Sequence, residues 1–155
     1  MANQDPQPEI YTTRHAFTGA TAAGTTNTVT VYTNQANNEE VRLYALAVRI
    51  LDAAGSDVTT ETDFALSIQV GPNNVPSNQF DIGWLAANIS NGGQVMAFST
   101  PVLCLFQQPL GVIVQVKTAT TATRTVVVDL IGELAIQKVL SGNVAMHPYN
   151  DQNPI

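Results

Sequence analysis

Side-chain alternation with a period of two constrains this chain more than any other feature of its sequence. In the segment 63–70, Phe64, Leu66, Ile68 and Val70 share one parity, while Asp63, Ala65, Ser67 and Gln69 share the other. A β-strand sends successive side chains to opposite faces, so the pattern predicts a half-buried strand. The segment 125–137 behaves alike: Val126, Val128, Leu130, Leu134 and Ile136 oppose Val127, Asp129, Ile131, Glu133, Ala135 and Gln137. Gly132 interrupts its apolar parity, where a bulge or bend fits. Val112, Val114 and Val116 form a third row, and Val29 and Val31 a short one.

Weaker strand candidates are 10–17, 80–85, 95–98 and 102–106. Gly71-Pro72-Asn73-Asn74, Asn91-Gly92-Gly93 and Gln107-Gln108-Pro109 separate them with residues that favour reversals. Pro101 has no N–H for a ladder, so 95–106 divides into two strands or lies at a sheet edge. The segment 41–51 (VRLYALAVRIL) fits a strand covered on both faces. It also fits a helix capped by Asn38, with Glu39 and Glu40 in its first turn and Gly55 beyond its end. Strand neighbours and the turn-like Asp52-Ala53-Ala54-Gly55 favour the strand. The small polar segments 18–28 and 118–123 read as a surface loop and a hairpin connection. About eight short strands without a repeat period predict an all-β, single-domain β-sandwich, jelly-roll-like, over residues 10–140. Proline-bearing polar segments at 1–9 and 141–155 are expected to be extended N- and C-terminal arms.

The composition narrows the function classes. Charged residues make up only 12% of the 155, with a net charge of −6. Thr, Asn, Gln, Ser and Ala replace them, giving a polar exterior that is cheaper to desolvate against protein than one of Lys and Glu. Six basic residues, scattered as Arg14, Arg42, Arg49, Lys117, Arg124 and Lys138, do not form the cluster that phosphate neutralisation needs. The opening Met1-Ala2-Asn3-Gln4-Asp5-Pro6-Gln7-Pro8 lacks the basic start and apolar stretch of a secretory signal. No apolar run approaches the ~20 residues of a membrane helix. Cytoplasmic synthesis, with neither nucleic acid nor membrane as a direct partner, is therefore expected.

A search for chemistry returns little. Neither phosphate-binding glycine signature occurs, nor a G-x-S-x-G elbow. His15 and His147 stand apart from one another, with no metal-ligand spacing, and His15 reads as a strand residue on a solvated face. Cys104, the only cysteine, lies in an apolar run and reads as a buried thiol. Asp52, Asp57, Glu61 and Asp63 cluster without the spacing of a calcium loop, as a solvated turn would. Trp84, between Ile82 and Leu85, reads as core, and the sequon Asn88-Ile89-Ser90 as turn. No cofactor, metal or catalytic residue is assigned, and an enzyme is not expected.

A sandwich with polar arms at 1–9 and 146–155, few charges and no site for chemistry resembles the small jelly-roll decoration or cement proteins of tailed-bacteriophage capsids. That resemblance implies a viral structural protein, made in the host cytoplasm and placed on the capsid exterior. There it would bind the major capsid protein and stabilise the head. It also implies a homo-oligomer, with a trimer favoured. The contact residues expected are Ile10 and Tyr11 at the first strand, Val127 and Ile131 on the polar side of 125–137, and Tyr149 and Ile155 in the C-terminal arm. The alternative is a carbohydrate- or receptor-binding jelly-roll module of a fibre or spike. A cupin-like metal enzyme would need clustered histidines.

Overall fold

The computed structural model describes residues 6–33, 39–59, 63–82, 95–105 and 107–136. Eight strands follow in order: β1 (Gln7–Phe17), β2 (Thr26–Thr33), β3 (Glu39–Leu51), β4 (Phe64–Val70), β5 (Asn73–Asp81), β6 (Val95–Cys104), β7 (Pro109–Val116) and β8 (Arg124–Ile136). They form two four-stranded antiparallel sheets, ordered β1-β8-β3-β6 and β2-β7-β4-β5. The first strand pairs with the last, the second with the seventh, the third with the sixth and the fourth with the fifth. A long antiparallel ribbon rolled over on itself produces that order, which is the jelly roll.

The two sheets hold together through the alternating residues of their facing sides. Leu46, Val48 and Ile50 of β3 and Val126, Val128 and Leu130 of β8 meet Phe64, Leu66 and Ile68 of β4 and Leu110, Val112 and Val114 of β7. All are buried. Each such side chain contributes about 1.5–3 kcal/mol of transfer free energy.

Residues 41–51 are a strand, and a bulge explains their mixed appearance. The register of β3 slips between Leu43 and Ala45 against both neighbours, leaving Tyr44 as the extra residue against β8 and residues 98–101 of β6 unmatched on the other side. Val41 and Leu43 point inward before it, and Leu46, Val48 and Ile50 after it, so the apolar parity changes in mid-strand. Gly132 lies opposite Leu43, where a Cβ would come within 2.1 Å of the Arg42 carbonyl oxygen. The β2 bulge between Thr30 and Tyr32 repeats the device, with Gly111 paired to Thr30 and a Cβ there 2.9 Å from the Val29 carbonyl oxygen. Each bulge is accommodated by a glycine because the backbones approach too closely for a side chain.

Several expectations need correction. β1 begins at Gln7 and pairs with β8 from Leu134, so residues 7–9 belong to the sandwich and not to an arm. β2 likewise takes Thr26–Thr28 from the expected loop. The 63–70 strand is not half-buried: Ala65 and Ser67, on its outer side, are as buried as Leu66. The segment 118–123 joins β7 to β8 in the opposite sheet, so it is a crossover and not a hairpin. It is zipped to the β1–β2 crossover at the same end: Thr120 N donates to Thr21 O at 2.9 Å, and Gly19 N to Thr123 Oγ1 at 2.8 Å. β6 runs through Pro101 as a single strand. It lies at a sheet edge, and its register against β3 breaks between Ala97 and Val102, around the proline.

His15 is fully buried, not solvated. It faces the gap between β1 and β2, where Nδ1 lies 3.1 Å from the Asn27 carbonyl oxygen and Nε2 lies 2.9 Å from Thr13 Oγ1. The neutral ring with its proton on Nδ1 satisfies both contacts, with the Thr13 hydroxyl donating to Nε2. The Asn91-Gly92-Gly93 turn, Trp84 and the sequon lie outside the described residues.

Two outcomes are expected. Gly132→Ala should lower the unfolding free energy by about 3 kcal/mol, read from a urea midpoint; an unchanged midpoint would contradict the close approach. Burial holds the His15 pKa below its usual 6.5, so below pH 6.5 the unfolded chain takes up a proton that the folded chain refuses. The stability of the native protein should therefore fall relative to a His15→Gln variant as pH drops below that value. Parallel thermal-melt profiles for the two would refute the assignment.

Candidate interaction surface

Cross-strand register determines what the outer face of the β1-β8-β3-β6 sheet presents. One row runs Ile10, Ile131, Ala45, Ala97 across four strands. The next runs Thr12, Asp129, Ala47, Val95. Beyond them lie Arg14, Val127 and Arg49 on one side, and Pro8, Glu133, Arg42 and Leu103 on the other. The centre is thus low and apolar, built of alanines between larger aliphatic groups. Ile10 is 64% exposed, Val95 57%, Leu103 45% and Tyr44 41%. Exposed aliphatics of this size gathered on one face mark an association surface more often than a solvated one.

Most of the charged and polar groups on this face, Arg14 excepted, are paired with one another. Arg42 Nε lies 2.7 Å from Glu40 Oε1, and the Tyr44 hydroxyl donates to Glu133 Oε1 at 2.6 Å. Arg49 grips Asp57 through two contacts of 3.0 and 3.1 Å. Thr12 Oγ1 donates to Asp129 Oδ1 at 2.6 Å. Hydrogen bonding to Glu133 raises the Tyr44 pKa, and Glu40 and Asp57 raise those of Arg42 and Arg49. Groups already satisfied within the chain leave fewer polar atoms to strand when a partner covers the face.

The structure brings two of the expected contact residues, Ile10 and Ile131, side by side in the central row. Val127 lies on the same face but is only 6% exposed, set between Arg14 and Arg49. Tyr11 points inward, its ring 5.6 Å from that of Tyr32, and burial followed by Glu9 pushes its pKa up to about 12. Tyr149 and Ile155 lie outside the described residues. Residue-by-residue reading missed Ala45, Ala47, Val95, Ala97 and Leu103. Their signals were apolar residues on the outward parity of 95–103 and the alanines of a 41–51 segment apolar on both parities, and the meaning of both depends on which strand lies beside which.

Among the described residues no His, Cys, Asp and Glu side chains gather as a metal site. The acidic cluster is dispersed: the Asp52 carboxylate accepts from Ala54 N and Ser56 N to close a turn, Asp57 holds Arg49, and Asp63 meets Thr118. Glu61 and His147 lie outside the described residues. Cys104 is buried, its thiol 3.2 Å from the Gln108 carbonyl oxygen, and burial raises its pKa to about 11. It is a packing residue.

No family model matches the chain, and no curated protein matches it. Among solved structures, dimeric latent PorU from Porphyromonas gingivalis overlays with a TM-score of 0.38 at 15% identity, covering 87% of this chain and 13% of that one. The chain thus spans about an eighth of that protein's length. A Bacillus endospore appendage, from a family of disulfide-linked pili, overlays with a TM-score of 0.27 at 12% identity, covering 89% and 96%. Neither overlay is close enough to carry an argument.

Ile10→Asp and Val95→Asp place charges at exposed positions and should leave the unfolding free energy within about 0.5 kcal/mol of the native value. Both should raise the protein concentration at which light scattering first detects self-association. Unaltered association by both variants would remove this face as a contact surface.

Proposed function

We propose that the chain is a structural adhesion protein, acting as a decoration or cement protein on the exterior of a viral head and bound there through protein–protein contacts. The observation that supports this best is the apolar centre of the β1-β8-β3-β6 face, around Ile10, Ile131, Ala45, Ala97 and Val95, bordered by charges of which Arg42, Glu133 and Arg49 are paired within the chain. A cement protein needs a rigid body and a face that can be dried at low cost. A twisted sheet of small and aliphatic side chains supplies both. Jelly rolls serve capsids, lectins and cupins alike, so the fold does not choose among them. The face supports the protein-binding reading, since its centre is built of small and aliphatic side chains, whereas a sugar site needs convergent polar groups in a concavity.

On this reading the protein is a homo-oligomer, a trimer in its simplest form, whose partner is the major capsid protein. The test is rebinding: heads that lack the chain should take up the purified protein from solution. An Ile10→Asp/Val95→Asp variant should bind them at least tenfold more weakly. Failure of the native protein to bind heads, or selective retention on a glycan array instead, would overturn the proposal.

A further inference from the structure

The two sheets have four edge strands, β1 and β6 in one and β2 and β5 in the other. An unpaired edge presents its backbone N–H and C=O groups to any other strand, and bulges or prolines normally interrupt it. Three of the four edges are interrupted. β2 shifts register between Thr30 and Tyr32. β5 shifts between Val75 and Phe80 and holds Pro76, and β6 shifts between Ala97 and Val102 around Pro101. β1 alone pairs with its neighbour, β8, without a shift from Gln7 to Phe17. Among the described residues no strand pairs with its other side.

The proline of β1 indicates which backbone groups face outward. Pro8 has no N–H to give β8, which suits a position whose backbone is turned away from that strand. Antiparallel pairing alternates, so Ile10, Thr12 and Arg14 then turn their N–H and C=O groups to the open side, and Tyr11 and Thr13 turn theirs to β8.

The side chains select the occupant. Arg14 is exposed and has no ionic partner among the described residues, and Arg49 across Val127 is a like charge. Glu133 lies beside Pro8 on the same outer face, accepting from Tyr44 and 3.5 Å from Arg42. A second β1, antiparallel to the first about a two-fold axis at Tyr11, sets Ile10 opposite the second copy's Thr12 and Pro8 opposite its Arg14. That Arg14 then stands two strand spacings from Glu133, roughly 10 Å, within joint side-chain reach over the short proline ring. Symmetry repeats the pair on the other side of the axis. Slipping the register by two residues loses both pairs, since Arg14 would then oppose Ile10 or pass the start of the strand. Tyr11 meets its own copy at the axis, a favourable aromatic cross-strand pair.

We propose that the β1 edge joins two copies of this chain, antiparallel about a two-fold axis at Tyr11, into one eight-stranded sheet. The contact is isologous and closes at two copies, so a threefold ring would need a second contact elsewhere. It deepens the reading of an adhesive homo-oligomer and rests on that reading only for its biological purpose.

Residue-resolved hydrogen exchange on the full-length protein tests it, with light scattering on the same samples from micromolar to millimolar concentration. The Ile10, Thr12 and Arg14 amides should exchange freely where the mass is that of one chain, and about tenfold or more slowly where it is that of two. Those of Tyr11 and Thr13 should stay protected throughout. Arg14→Ala removes two exposed ion pairs from the assembly and should raise the concentration of half-association about twofold to thirtyfold. Free exchange of the three edge amides in the associated protein would overturn the proposal. Protection of them in a protein with the mass of one chain would overturn it too, since a segment of the same chain would then cover the edge. An Arg14→Ala variant that associates as the native protein does would overturn the register. Head binding is read separately: its failure would remove the capsid reading and leave the pairing standing.

Discussion

Two apolar sheet faces pressed together by alternating side chains determine almost everything else about this molecule. With a period of two, moving any strand by one residue would send its core side chains to solvent and its outer ones inside. The same register that buries Val128 and Leu130 holds Ile131 beside Ile10 on the outer surface. Core and candidate contact face are thus two sides of one pairing scheme. The bulges at Tyr44 and between Thr30 and Tyr32 are the places where the alternation is reset, and Gly132 and Gly111 are the residues that permit it.

How far the sequence could be read follows from that scheme. Rows such as Phe64–Val70 and Val112–Val116 were legible because an uninterrupted alternation has one structural meaning. Residues 41–51 were ambiguous because the bulge changes parity between Leu43 and Leu46, producing the three-residue spacing of a helix inside a strand. β5 begins well before the expected 80–85 because Asn73–Asp81 is an edge strand, polar and mostly exposed, with little apolar pattern to find. His15 departs from expectation because a polar side chain in a strand suggests the solvated side. Its partners Thr13 and Asn27, the latter on another strand, satisfy it in the interior. The sheet change across 118–123 depends on topology that local spacing does not carry.

The candidate contact face was half visible. Ile131 stood out as an apolar residue on the polar side of its strand, and Ile10 as an apolar residue at the start of the first. Ala45, Ala47, Ala97 and Val95 come from two further strands, and only the order β1-β8-β3-β6 assembles them. Val127 misled for the converse reason, since its flanking arginines cover it within the chain. Among the described residues the sandwich then presents a broad apolar face and, between the edge strands β5 and β6, an apolar groove. On the proposed reading the face would meet a flat partner.

That claim of adhesion has a direct physical readout in the mass of the native protein in solution, measured by light scattering across a concentration series. A mass three times that of a single chain, or another closed multiple that persists on dilution, is what this account expects. A protein that stays a single chain up to millimolar concentration would contradict it.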